Sequence, residues 1–345
     1  MPVGFPTKVN YATGDVLSAA NMNDLSGTVN LLESAQFAAG KNQLINGAFN
    51  NWQRGTSFTA NGYTADRMYL AIGAGSGTLT RSTATPLPTG GSQYFARFTA
   101  GAASSNGALL QALETAAVIP LRGKTVTASG YFRGTFTGNV RIAATYSNST
   151  DTLTSQTTSI GSNPVAVTTS WQRLSYTFTV PTDAVGLRLD FGSQSTPINN
   201  TQTLDIWGCQ LEVASTASEF ATATGTIQGE LAACQRYYMR TTAGAAGQHF
   251  GNGNNQSTTV GVFINEYPVE MRIAPTALEQ SGTAGDYSIR HQATSTACSA
   301  VPAFETASTK KGVFTLTVAS GLTAGNGSFA RPVNTSAYLG WSAEL

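Results

Sequence analysis

The sequence predicts a mainly β protein: an N-terminal helix, a central β-sandwich, a linking helix and a C-terminal β-sandwich domain. Three observations predict it. Apolar and polar residues alternate at period two over several stretches, which puts successive side chains on opposite faces of a sheet. Leu174, Tyr176, Phe178 and Val180, interleaved with Ser175, Thr177 and Thr179, are the clearest case. The 36 glycines, with Gly, Pro, Asn and Asp clusters at residues 86–91, 148–151 and 181–183, supply the tight turns that antiparallel strands need. Only 11% of the residues are charged, so solubility rests on Ser, Thr, Asn and Gln, an all-β profile.

A length of 345 residues suggests two or three domains, each able to bury its own core. Residues 1–41 read as an anchor and oligomerisation helix. Ser18 suits an N-cap, and Met22, Leu25, Val29 and Leu32 follow at spacings of three, four and three, an a/d stripe. Short helices are marginal in water without packing, so the stripe is expected to meet copies of itself in a homo-oligomer. A single amphipathic helix lying on its own domain also suits two heptads.

Residues 42–223 carry the period-two pattern, at 126–132, 140–146, 185–191 and at Trp207, Cys209, Leu211 and Val213, and form the sandwich. Residues 224–240 read as the linking helix, with Ile227, Leu231, Cys234 and Tyr238 at i, i+4, i+7 and i+11. Strands at 258–264, 287–291 and 313–318 place a second, smaller β domain at residues 241–345. The stretch 243–257, rich in Gly, Asn and Gln, reads as a long exposed loop.

The charge balance, 19 Lys+Arg against 18 Asp+Glu, offers no field for nucleic acid or anionic membrane. Cys209, Cys234 and Cys298 lie far apart, without the spacing of a zinc site or a disulfide framework, and read as buried thiols. No stretch reads as a secretory leader or a membrane span, so synthesis in a cytoplasm is expected. His249 and His291, the only histidines, sit in no hydrolase motif. The acids Asp190, Asp205, Glu212 and Glu219 are scattered, with no visible catalytic pair, and the chain is expected to be neither an enzyme nor a cofactor carrier. Asp66 and Arg67 read as a structural pair, and the glycine-rich run 73–77 as a flexible turn. Among Trp52, Trp171, Trp207 and Trp341, three fall in strand patterns, and Trp341 is the surface candidate, with core the better assignment even there.

Two separated stretches carry a resemblance. Residues 42–70 read NQLINGAFNNWQRGTSFTANGYTADRMYL, and 204–238 read LDIWGCQLEVASTASEFATATGTIQGELAACQRYY. With GKTVTASGYF from Gly123, PVEMRIAPT from Pro268 and the closing SAEL, these ordered pieces resemble phage tail-fibre and related virion proteins. FPTKVNYATGDVLSAANMNDL resembles a fibre N-terminus that attaches to the particle. NQLINGAF and LDIWGCQLEV also resemble the first and last strands of jelly-roll carbohydrate-binding modules. Asn50 and Trp207-Gly208 stand where such modules hold acidic calcium ligands, so no metal is expected.

The resemblance implies a central jelly roll and a bacteriophage fibre or spike subunit, homotrimeric through Met22, Leu25, Val29 and Leu32. Such a subunit would reside in the virion, assembled in the host cytoplasm, join other phage structural proteins through its N-terminus and attach to host surface glycans. A head or tail decoration protein without receptor binding is the alternative, and a polysaccharide depolymerase the third reading. If the N-terminus is the tether, the C-terminal domain is presented outward. The amides of Gln248, Asn252 and Asn254 then suit sugar hydroxyls, and His249 and Phe250 offer ring faces.

Overall fold

The computed structural model describes residues 40–83, 88, 94–101, 106–194 and 197–345. The stripe Met22, Leu25, Val29 and Leu32 lies outside the described residues. The protein is mainly β, with antiparallel sheets throughout.

The first body contains β1 (Ser57–Phe58), β2 (Gly62–Tyr63), β3 (Tyr69–Ile72), β4 (Gly77–Ser82), β5 (Phe95–Ala100), β6 (Gly107–Leu113), β7 (Thr125–Gly134), β8 (Asn139–Ser147), β9 (Thr158–Ala166), β10 (Gln172–Thr179), β11 (Gly186–Gln194) and β12 (Thr203–Glu212). These make two six-stranded sheets, ordered β1-β4-β5-β12-β7-β10 and β2-β3-β6-β11-β8-β9. From β5 onward the chain crosses repeatedly between them, the wrapping of a jelly roll. The inner faces meet in one apolar core. Leu79, Phe98 and Leu204 form a cross-strand row on one side, and Leu70, Leu109, Phe191 and Ile142 oppose it from the other. In β10, Leu174 and Phe178 are buried and Tyr176 packs against the same core, as the alternation requires. Residues 73–76 form the turn from β3 to β4, with Gly75 at a φ of 106°, and Gly77 already begins β4.

The NGAF segment closes this body. Gly47 lies so close to β12 that an added Cβ would run into the Cys209 carbonyl oxygen. Asn42 lies beside it and accepts from the Leu44 and Leu211 amides (2.9 and 3.0 Å) while donating to the Cys209 and Ala221 carbonyls (both 3.1 Å). A buried Asn with all these bonds made replaces strand pairing where the chain enters the sandwich.

The linking helix is real but short, Ile227–Gln235, and Thr226 caps it by accepting from Gly229 N at 3.0 Å. Its expected apolar stripe does not exist as a buried face: Ile227 and Leu231 are exposed, and Cys234 alone of the helical three is buried. The buried carboxylate of Glu230 fastens the helix instead, accepting from the Asn46 and Thr224 amides at 2.8 and 2.9 Å. Tyr238 already begins the next strand.

The second body contains β13 (Tyr238–Thr242), β14 (Gly251–Asn255), β15 (Val260–Glu266), β16 (Leu278–Gln280), β17 (Tyr287–His291), β18 (Thr294–Ala297), β19 (Ala303–Ala307), β20 (Lys311–Thr317), β21 (Gly327–Pro332) and β22 (Tyr338–Ser342). A seven-stranded sheet, β18-β17-β21-β14-β15-β20-β19, faces a three-stranded one, β13-β22-β16. Between them lies a second core that includes Phe263, Phe314, Tyr287, Met239 and Trp341.

Where the bodies meet, residues far apart in the chain converge. Gln53 donates to Asp66 Oδ2 (2.9 Å) and to the Tyr238 carbonyl (2.8 Å), and Arg240 donates to the Arg54 carbonyl at 2.7 Å. Arg67 is buried over the Tyr237 ring, 3.6 Å from its centroid, and pairs with Glu344. Leu345 packs beside Leu110 and Ala112 on the outer face of the second sheet. The QRG, ADR, QRYY and SAEL segments are therefore one structural joint.

Burial raises the Asp66 carboxyl from an ordinary 3.8 to about 6, against the lowering effect of its bonds to Gln53. Because the folded-state value lies above the unfolded one, the unfolded chain releases this proton first. The stability Asp66 contributes is therefore complete below about pH 4 and lost as the pH rises through 6. The whole span corresponds to about 3 kcal/mol. Urea unfolding at several pH values is expected to show this decline, and Asp66→Asn to flatten it whatever its baseline stability.

Candidate functional site

Strand β14 corrects the reading of 243–257 as one exposed loop. Its backbone is bonded on both sides, to β15 and β21, so residues 251–255 lie in the interior of the seven-stranded sheet. Alternation within β14 puts Asn252 and Asn254 on one face, and both are exposed. Phe250 lies just ahead of the strand, where the alternation breaks, and turns inward, 3% exposed, with its ring 6.2 Å from that of Tyr287. Phe250 thus belongs to the core and offers no ring to a ligand. Gln248 is exposed, but its side-chain oxygen accepts from Gly244 N at 2.8 Å and closes the turn. His249 and Asn252 come together on the outer face; Asn254 follows one pleat further along β14.

What they meet there was not legible as a site. Phe329 on β21 stands directly opposite Asn252 and is 41% exposed, and Ile264 flanks Asn252 on the other side with the same exposure. The His249 and Phe329 rings lie 4.6 Å apart at 35°. Arg331, two residues along the same face, directs its terminal nitrogen to His249 Nε2 at 3.2 Å. A guanidinium only donates, so Nε2 accepts and the ring carries its proton on Nδ1.

Beside this shelf is a pocket of about 320 Å³ lined by Ala246, Gly247, Ser288, Ser295, Ala297, Arg331, Pro332 and Val333. Its position follows from register: Ser288 faces Arg331 on one side and Ala297 on the other, so all three share the outer face. Arg331 Nε is buried and has no hydrogen-bond partner among the described residues. The alternation Ser328, Phe329, Ala330, Arg331 was the available signal for this strand, though pairing alone sets it beside β14.

Three of the four acidic residues singled out from the sequence are held by neighbours, and Glu219 is exposed. Asp190 accepts from Arg188, Asp205 from Arg97 and Arg133, and Glu212 from Gln210 and Ser218. Among the described residues no three His, Cys, Asp or Glu side chains form a candidate metal cluster. The three cysteines are buried and form no disulfide. Trp341 and Trp207 are fully buried, and Trp171 is the partly exposed tryptophan, just ahead of β10 rather than in a strand.

No protein-family model matches the chain, and no curated protein matches it. Solved structures similar to it include a CBM4 module, 16% identical with a TM-score of 0.31, covering 49% of this chain and 98% of the module. A CBM22-1 xylan-binding domain from Paenibacillus barcinonensis Xyn10C is 11% identical, with a TM-score of 0.32, over 52% of this chain and 98% of that one. The enzymatically active domain of bacteriophage CBA120 tailspike protein 4 is 10% identical, with a TM-score of 0.34, over 50% of this chain and 22% of that one. At such scores the likeness identifies neither a family nor a ligand.

Proposed function

We propose that the chain is a virion attachment subunit, a bacteriophage fibre or spike protein, that holds host surface glycan through the outer face of its C-terminal sheet. The observation that carries this reading is the pocket beside the His249–Phe329 shelf, with Arg331 among its lining residues. A sugar ring presents C–H groups to an aromatic face and hydroxyls to donors and acceptors at its rim. Phe329 supplies the first contact, and Arg331, Asn252, Ser288 and Ser295 supply the second. The mechanism is adhesion: single sites stay weak, and their repetition on an oligomer multiplies them through effective concentration. No bond is made or broken.

The exposed pair Phe329 and Ile264 also supports the alternative of a decoration protein, because apolar residues in one row suit burial against a second copy. Phe329→Ala separates the two. Being exposed, Phe329 is expected to change stability by less than about 0.5 kcal/mol when truncated. Binding of the full chain to host lipopolysaccharide or capsular glycan is expected to fall at least tenfold while its sedimentation stays unchanged. Undiminished binding, or dissociation of the oligomer instead, would reject the glycan face.

A further inference from the structure

We infer that a second pocket, on the outer face of the jelly roll at Arg97, Asp205 and Arg133, binds an acidic sugar through its carboxylate. The three residues form one cross-strand row: Asp205 on β12 stands opposite Arg97 on β5 and Arg133 on β7. Arg97 grips the carboxylate with two nitrogens (2.7 and 2.8 Å), and Arg133 Nε adds a third bond at 2.7 Å. Asp205 itself is 1% exposed.

The charge does not balance. One carboxylate neutralises one guanidinium, so the row keeps a net positive charge, and burial around Asp205 weakens its screening by water. Arg133 engages Asp205 through Nε alone, and its two terminal nitrogens make no hydrogen bond among the described residues. They are nonetheless held in place, because the guanidinium lies 4.7 Å from the Trp171 ring centroid and 5.3 Å from that of Phe95. A planar pair of donors fixed in this way matches the two oxygens of a carboxylate.

Space and lining suit a sugar bearing that carboxylate. The pocket is about 220 Å³, and Thr135, Thr169 and Thr203 surround the charged row with hydroxyls. A cluster serving only to tie three strands needs neither the second guanidinium's free end nor an open cavity above it. None of these residues belongs to the C-terminal face, so this site stands or falls independently of it.

Calorimetric titration of the full chain with methyl β-D-glucuronide, methyl β-D-glucoside and acetate tests the inference. The glucuronide is expected to bind at least tenfold more tightly than either of the others, and less tightly as salt rises. Arg133→Gln is expected to remove that preference, and Phe329→Ala to leave it intact. Thr169 is exposed and outside the ion cluster, so Thr169→Trp fills the pocket without touching Asp205 and serves if Arg133→Gln fails to fold. Equal affinity for glucuronide and glucoside overturns the proposal, as does acetate binding as tightly as the glucuronide. Glucuronide binding unchanged in folded Arg133→Gln or in Thr169→Trp overturns it equally.

Discussion

Replacing Glu344 with alanine is expected to destabilise the protein by about 3–5 kcal/mol, the usual cost of stripping one partner from a buried ion pair. Glu344 and Arg67 have side chains 4% and 2% exposed. Arg67 also donates to the Ala112 carbonyl at 2.7 Å and lies over Tyr237, but its Nε has no partner among the described residues. Without Glu344 a guanidinium that cannot lose its charge stays buried with no counterion. Arg54, stacked 3.4 Å above Tyr238, loses its carboxylate partner in the same step. The loss falls on the joint between the two bodies, so urea unfolding is expected to split from one transition into two. Glu344→Gln keeps the shape and an acceptor and is expected to cost less. A double change of Arg67 and Glu344 to methionine, which removes both charges, is expected to recover part of the loss. A Glu344→Ala protein within about 1 kcal/mol of the parent would show that this pair does not hold the bodies together.

Trp341→Ala is expected to cost a similar 3–5 kcal/mol, for a different reason. The indole is fully buried in the second core, with Tyr267 and Phe304 rings 5.7 and 6.2 Å away. Gly312 lies against its six-membered ring so closely that a Cβ there would collide with it. Truncation leaves a cavity that a β-sandwich cannot collapse, and it strips Asn265 Oδ1 of the indole N–H bonded to it at 2.9 Å. Trp341→Phe restores most of the volume but not that bond, and is expected to fall between the two. Chemical unfolding followed by near-ultraviolet circular dichroism reads both losses. A change below about 1 kcal/mol for Trp341→Ala would contradict the packing described for this core. Any loss of glycan binding in this variant reports unfolding, since the indole touches no exposed surface.

The period-two stretches of the jelly roll were legible residue by residue, because a pleated strand sends neighbours to opposite faces whatever lies beside it. Leu174 and Phe178 on β10 and Leu187, Leu189 and Phe191 on β11 all point into the core as their spacing requires. The helix after Thr226 was legible too, through its cap, since that bond closes within one turn. Its buried side could not be read, because Glu230 rather than an apolar stripe attaches it, and the partners Asn46 and Thr224 are found only in the folded chain.

Strand β14 marks the limit most clearly. Gly251, Asn252, Gly253, Asn254 and Asn255 have poor intrinsic preference for strands, and by composition they read as a loop. Their glycines, however, let the backbone come against the Ile264 and Val262 carbonyls, where a side chain would not fit, and β15 and β21 supply hydrogen bonds on both edges. By itself the sequence determined that the protein is β, where many strands run, and that amides and a histidine are concentrated near residue 250. Tertiary structure alone decided that Phe250 is core, that Phe329 and Arg331 stand beside His249 and Asn252, and that Asp205 is shared by two arginines. Strand pairing brings together residues whose separation along the chain carries no trace of their separation in space.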